Sequence, residues 1–127
     1  MTPAELATEL LRLANLRDAE AAVDLFHPGA ELHFPRFAPR RVFRGSPELQ
    51  EFFAWLVETL PLSTFAADRI TATPASATVE FETAGHSVAG HEFDNSGVLV
   101  IDADQGRITQ VRVYLDTADL GRILEVA

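Results

Sequence analysis

Two carboxylates, Glu80 and Glu82, stand one residue apart in the segment Thr78-Val79-Glu80-Phe81-Glu82-Thr83. Side chains alternate between faces of an extended strand, so both glutamates point one way and Val79 and Phe81 the other. Enclosed together, the pair would repel and lose solvation, which raises at least one pKa and makes an acid and a base from one residue type. Burial beside each other would lift a shared apparent pKa above about 4.3. The same alternation is also how any half-exposed strand looks, and then both glutamates face water. Asn95 can donate and accept, so inside an apolar enclosure it would orient a carbonyl or hydroxyl and steady a developing charge. Near Gly97 it reads equally as a bulge residue.

Other chemistries are narrowed by inventory. There is no Cys and no Lys, all ten basic residues being Arg. That removes disulfides, thiolate nucleophiles, sulfur-based zinc sites, Schiff bases and a Walker lysine. His33 could shuttle protons near neutrality, but period two turns it away from Leu32 and Phe34, which suits a surface or interface position. His86 and His91 flank the turn at Gly90, and with only four His in the chain a metal site would need carboxylates to complete it. No metal and no cofactor is expected. No Gly-x-Ser-x-Gly elbow or phosphate-binding glycine loop is present.

The elements that must position these groups follow from pattern. At 127 residues with 47% apolar content, one domain over 1–127 can bury a single core. Thr2-Pro3-Ala4-Glu5 is a capping box with Pro at the first helical position, followed by Leu6, Leu10 and Leu13 at helical spacing. Asp18 caps a second short helix burying Val23 and Phe26, and Pro28-Gly29 ends it. Ala30 to Phe34 reads as a strand. Residues 35–45 read as a loop with Arg36, Arg40, Arg41 and Arg44, expected to be mobile or paired with the protein's carboxylates. Ser46-Pro47 opens a third helix with Leu49, Phe52, Phe53, Leu56 and Leu60 on one stripe, stopped by Pro61. Period two then marks strands at Phe65 to Thr71, Ala77 to Thr83, His91 to Asp102 and Arg107 to Asp116, with turns at Gly85, Gly90 and Gly106. Asp116 or Thr117 caps a last helix carrying Leu120, Ile123 and Leu124. Helices first and strands after predict an α+β fold with a mainly antiparallel sheet.

The formal charge of −9 repels polyanions, so no nucleic acid partner is expected. No apolar run approaches the roughly 20 residues of a membrane span, and Met1-Thr2-Pro3-Ala4-Glu5 lacks the basic start of a secretory signal. A cytoplasmic protein with no membrane contact is the expectation.

The C-terminal pattern, Ser96 to Asp102, Asp104-Gln105-Gly106-Arg107 and then Ile108 to Asp116 before a helix, resembles that of SnoaL-like proteins in the nuclear transport factor 2-like superfamily. Phe26-His27-Pro28-Gly29-Ala30 and Phe43-Arg44-Gly45 fit the same resemblance, which runs from Leu10 through Leu124. It implies a cone-shaped roll: a curved, mainly antiparallel sheet packed on three helices of the N-terminal half, closed by a short C-terminal helix. It implies a cone lined by Leu32, Phe34, Leu56, Leu60, Val111, Val113 and Leu120, with Glu80, Glu82 and Asn95 as polar members. The catalytic sets of two related groups do not carry over. Phe34 precedes Pro35 where ketosteroid isomerases have their base, and their first-helix tyrosine falls among Leu10 and Leu11. Val113 stands where epoxide hydrolases have their last aspartate, and Glu80 and Glu82 replace their Arg-x-Asp.

Two functions remain open at this point. In one, the cone binds a small hydrophobic organic molecule and performs isomerisation, cyclisation or hydrolysis through Glu82 and Glu80 with Asn95. In the other, the chain is a non-catalytic binding or dimerisation module whose cone is filled by Phe34, Phe53 and Trp55. A homodimer is expected through the convex face, where Val79, Phe81 and Tyr114 would otherwise leave an apolar patch.

Overall fold

The computed structural model describes residues 1–36, 38–61 and 63–123, the side chains of Leu120, Arg122 and Ile123 excepted. The chain opens with helix α1 (Pro3–Asn15), held by the expected capping box: Thr2 N donates to Glu5 Oε1 at 2.9 Å and Glu5 N to Thr2 Oγ1 at 3.2 Å. Helix α2 (Ala19–Asp24) begins where Asp18 Oδ1 accepts from Ala21 N at 3.1 Å. It stops before Pro28-Gly29. Phe26 already belongs to strand β1 (Phe26–His33), and Pro28-Gly29 instead fall in a break of β1 register, between the pairs Phe26↔Ile108 and Glu31↔Gln110. A proline has no N–H for the ladder, so an irregularity inside a strand absorbs it as readily as a helix end does.

The arginine-rich segment is not all loop. Val42–Arg44 forms strand β2, antiparallel to β1, before helix α3 (Gly45–Thr59). Strands β3 (Thr64–Ala72), β4 (Ser76–His86), β5 (Glu92–Asp104) and β6 (Arg107–Leu115) follow, then helix α4 (Thr117–Ile123). Asp116 Oδ1 accepts from Ala118 N at 3.0 Å and Asp119 N at 3.2 Å, which makes it the cap of α4. Between β5 and β6 the turn is Gln105-Gly106, both at positive φ, as a two-residue hairpin whose twist matches its strands requires.

The six strands form one sheet in the order β2-β1-β6-β5-β4-β3, antiparallel except for the parallel pair β1 and β6. Its concave face carries Val79, Phe81, Leu99, Ile101, Ile108 and Val111, all buried against Leu6, Leu10 and Leu11 of α1 and Leu49, Phe52 and Phe53 of α3. Phe52 is the hub of an aromatic cluster, with ring centroids 5.2 Å from Phe34, 5.1 Å from Phe43 and 5.1 Å from Phe53. At the far edge α1 is fastened to the sheet: Asn15 Oδ1 accepts from Phe65 N at 2.7 Å while its Nδ2 donates to Phe65 O at 2.9 Å. Arg17 adds bonds to the carbonyls of Pro61 and Ser63. Among the described residues no helix is long and apolar enough to cross a membrane.

Candidate functional site

Between the concave face and the helices lies a cavity of about 80 Å³, several times the roughly 10–15 Å³ that one water needs. Helix α1 contributes Leu10, Leu11 and Ala14, and α3 with its C-cap contributes Phe52, Phe53, Leu56 and Leu60. The sheet and the residue after β1 supply Leu32 from β1 and Phe34 just beyond it, Phe65 from β3, Phe81 and Thr83 from β4, Phe93, Asn95 and Leu99 from β5, and Val111, Val113 and Leu115 from β6. Leu32, Phe34, Leu56, Leu60, Val111, Val113 and Asn95 are thus brought together. The Leu120 side chain lies outside the described residues, as do Leu124 and the side chain of Ile123. Phe34 and Phe53 occupy part of the cone and Trp55 stacks edge-on against Phe34 at 5.5 Å, yet the cavity remains beside them.

Glu80 and Glu82 are not in it, which corrects their placement among the polar members of the cone. Both are exposed on the convex face, where Glu80, its side chain 57% exposed, stands 3.9 Å from Arg69 Nε. Val79 and Phe81, expected on that outer face, are instead at 0% and 3% exposure in the core. The reason is energetic. Burying a Val or Phe side chain is worth roughly 1.5–3 kcal/mol, whereas an unpaired carboxylate in the same place costs several. Strand register then carries the glutamates outward, with Glu82 opposite Ser96 and Glu80 opposite Val98.

What the register brings inward with Phe81 is Thr83, paired across the ladder with Asn95. Each is only 6% exposed. Among the described residues, these two are the polar side chains of the cavity wall and none of the lining is ionisable. Asn95 Nδ2 donates to the Asp116 carbonyl at 3.4 Å, beyond the usual range for such a bond. Thr83 Oγ1 is buried without a hydrogen-bond partner in the described structure. Thr83 was readable in the sequence: it lies two residues after Phe81, on the same face once Phe81 is assigned to the core.

Titratable groups gather on the convex face. Arg44 Nε lies 2.6 Å from Glu31 Oε2, His33 Nε2 lies 3.3 Å from Glu31 Oε1 and 3.2 Å from Gln110 Nε2, and Arg112 joins Gln110 to Asp102, 2.9 Å away. The Arg44 guanidinium, and after it His33, hold the Glu31 carboxyl below the ordinary carboxylate range. In the arginine-rich segment Arg40 Nε lies 3.0 Å from Glu51 Oε2 and 3.9 Å from Glu48 Oε1. With Arg44 on Glu31, Arg40 and Arg44 of this segment are therefore ion-paired. No group of three or more His, Asp or Glu able to hold a metal ion occurs among the described residues.

A six-stranded sheet curved about three helices, with an apolar cavity between them, is the architecture of the nuclear transport factor 2-like class. Within that class the chain belongs to the SnoaL-like domain family, whose model matches residues 7–111. Solved structures agree in fold. One is an NTF2-like protein of unknown function from Burkholderia pseudomallei, with 17% identity, a TM-score of 0.88 and 98% of each chain covered. Another is TerC, co-crystallised with polyporic acid, with 18% identity and a TM-score of 0.85 over 95% of this chain and 96% of that one. A third is SalBIII, an epoxide hydrolase/cyclase-like enzyme with a role in pyran ring formation in the polyether salinomycin, with 21% identity and a TM-score of 0.78 over 91% of each chain. No curated protein sequence matches.

Proposed function

We propose that this SnoaL-like chain is a small-molecule-binding protein whose cone holds a compact, neutral, hydrophobic organic compound, and that it works as a cytoplasmic homodimer. The observation that carries the reading is the cavity wall, about 80 Å³ of space lined among the described residues by aliphatic and aromatic side chains with two uncharged polar residues. Such a lining favours apolar surface by removing it from water. It disfavours an ion, whose lost hydration no ionisable side chain among the described residues of the wall offsets. Leu32, Phe34, Leu56, Leu60, Val111 and Val113 are the contacts, and Asn95 orients the ligand. Proton transfer by Glu80 and Glu82 forms no part of this reading, because both carboxylates stand on the opposite face. A chain of this fold has been crystallised with an organic molecule, TerC with polyporic acid, in keeping with a binding role.

The test is an NMR titration of the isotope-labelled protein with methylenecyclopentane, a compact neutral hydrocarbon. Saturable shifts confined to the cavity residues are expected in the wild type and in Glu82→Gln, and their loss in Val113→Phe, which puts a ring into the cavity. Absence of saturable shifts in the wild type would sink the binding role. Support for the dimer comes from the convex face, where Tyr114 is 55% exposed beside its ladder partner Val98, half-buried like the nearby Val100. These residues, rather than Val79 and Phe81, make the apolar strip. Sedimentation at micromolar concentration should give a dimer that Tyr114→Glu dissociates; a wild-type monomer removes the proposal.

A further inference from the structure

We infer that the convex side of the sheet carries a second binding site, a groove at the end of β1 that takes a small organic carboxylate. The last ladder pair between β1 and β6 is His33↔Arg112, and β6 runs on past it through Val113, Tyr114 and Leu115. The chain beyond His33 doubles back, Phe34 N donating to the Arg41 carbonyl at 3.0 Å, and enters β2. Beside the unaccompanied end of β6 this leaves an open groove of about 450 Å³. Its polar side chains are His33, Arg41, Arg112, Tyr114 and Thr117, with no carboxylate among the described lining residues. In a chain of formal charge −9, a groove whose charged lining is basic runs against the composition.

These cations have donors to spare. Arg40 and Arg44 of the same segment are paired with Glu51 and Glu31, whereas the exposed Arg41 has no side-chain partner among the described residues. Arg112 meets Asp102 and Gln110 through Nη1 alone, leaving Nη2 and Nε without a partner among the described residues. Guanidinium forks match the two oxygens of a carboxylate, and the hydroxyls of Tyr114 and Thr117 can add donors. The carboxylates nearby are engaged elsewhere: Asp102 and Glu31 stand outside the lining, and Asp116 Oδ1 accepts from the first amides of α4. The overall negative field penalises every added negative charge, which favours a monoanion over a phosphate dianion or a polyanion. Pro35, Val42 and Leu115, half-buried in the same lining, favour an apolar body behind the carboxylate. The groove opens on the β1 side of Tyr114, while Val98 and Val100 lie on its β5 side, so it borders the apolar strip without being part of it.

The probes are benzoate and benzamide, which share a shape and differ in charge, added to isotope-labelled protein at low salt. In the wild type the Nε–H resonances of Arg41 and Arg112 should shift saturably with benzoate and not with benzamide, a readout that needs no variant. Arg41→Gln should weaken benzoate about tenfold, the effect of one charge-assisted hydrogen bond. Arg107→Gln removes the same charge at the start of β6, outside the groove, and should stay within about twofold of wild type, since an exposed charge at a distance is largely screened. Equal losses in the two variants would show attraction by net charge and overturn the site. So would benzamide binding as tightly as benzoate, an absence of saturable shifts, or benzoate shifts centred on Leu10 and Leu56, which line the cavity and not the groove. The cavity reading stands or falls separately, on the hydrocarbon titration.

Discussion

The two faces of strand β4 differ in every property that matters for chemistry, although they alternate residue by residue. Inward are Val79, Phe81 and Thr83, buried against the helices and the cavity; outward are Thr78, Glu80 and Glu82, all exposed. The contrast extends across the sheet. The concave wall of the cavity has two uncharged polar side chains among the described residues, while the convex face carries Glu31, His33, Gln110, Arg112 and Asp102 in one connected run. These titratable groups are thus separated from the cavity by the thickness of the sheet. A sheet that curves around helices has one face in a core and one in solvent, and a pair of like charges goes to solvent whatever its catalytic promise.

Exchanging the chemistry of the faces should produce the largest effect. Val79→Asp puts a carboxylate at a position with no exposure and should cost more than about 4 kcal/mol, through the lost burial and an unpaired buried charge. Glu80→Gln, one residue away, should change stability by less than about 0.5 kcal/mol. Urea unfolding of the two variants measures the difference; similar costs would mean that the faces are not distinguished as described. Gly97→Ala comes next. A Cβ there would lie 2.5 Å from the Tyr114 carbonyl, 2.7 Å from Leu115 Cδ2 and 2.9 Å from Phe81 Cζ. Overpacking of that kind costs roughly 1–3 kcal/mol, and since Phe81 and Leu115 both line the cavity, hydrocarbon binding should weaken with it. Unchanged binding would show that the cavity tolerates movement of that wall.

Much of this fold was legible because its signals are local. The capping box at Thr2 and Glu5, the Asp18 cap, a cap at Asp116 or Thr117 and four period-two strands each declare themselves within a few residues. Strand β2 was not legible, since Val42–Arg44 pairs only because β1 lies beside it, and nothing in a three-residue run among arginines announces a distant partner. Pro28-Gly29 carries the same signal whether it ends a helix or interrupts a strand. The site was harder still. Which face of β4 turns inward is a tertiary choice, and the alternation of Val79, Glu80, Phe81 and Glu82 fits either until the burial of Phe81 decides it. Once it is decided, Thr83 follows as a wall residue, and its hydroxyl stands out only when its neighbours are known.

That hydroxyl gives a smaller, opposite effect. Thr83→Val keeps the shape and removes a buried group without a hydrogen-bond partner, so the free protein should gain about 1 kcal/mol and melt roughly 3 °C higher. Calorimetry decides it. A variant less stable than wild type would mean that the hydroxyl is already satisfied.

The smallest effect belongs to the convex face and depends on pH. Arg44 and then His33 depress the Glu31 pKa from its ordinary 4.5. A group whose folded pKa is lowered stabilises the fold at pH above the unfolded value, and that contribution fades as pH falls through the folded value. Glu31→Gln should therefore lower the urea midpoint slightly at pH 7, and the gap from wild type should narrow as pH falls below about 4.5 and through the lower folded value. Solvent reaches both partners, with side-chain exposures of 32% for Glu31 and 66% for Arg44, so screening keeps the effect small and 1 M salt should shrink it further. A gap that does not narrow at all as pH falls below about 4.5 would mean that the Glu31 side chain acts through packing on β1 and not through its charge.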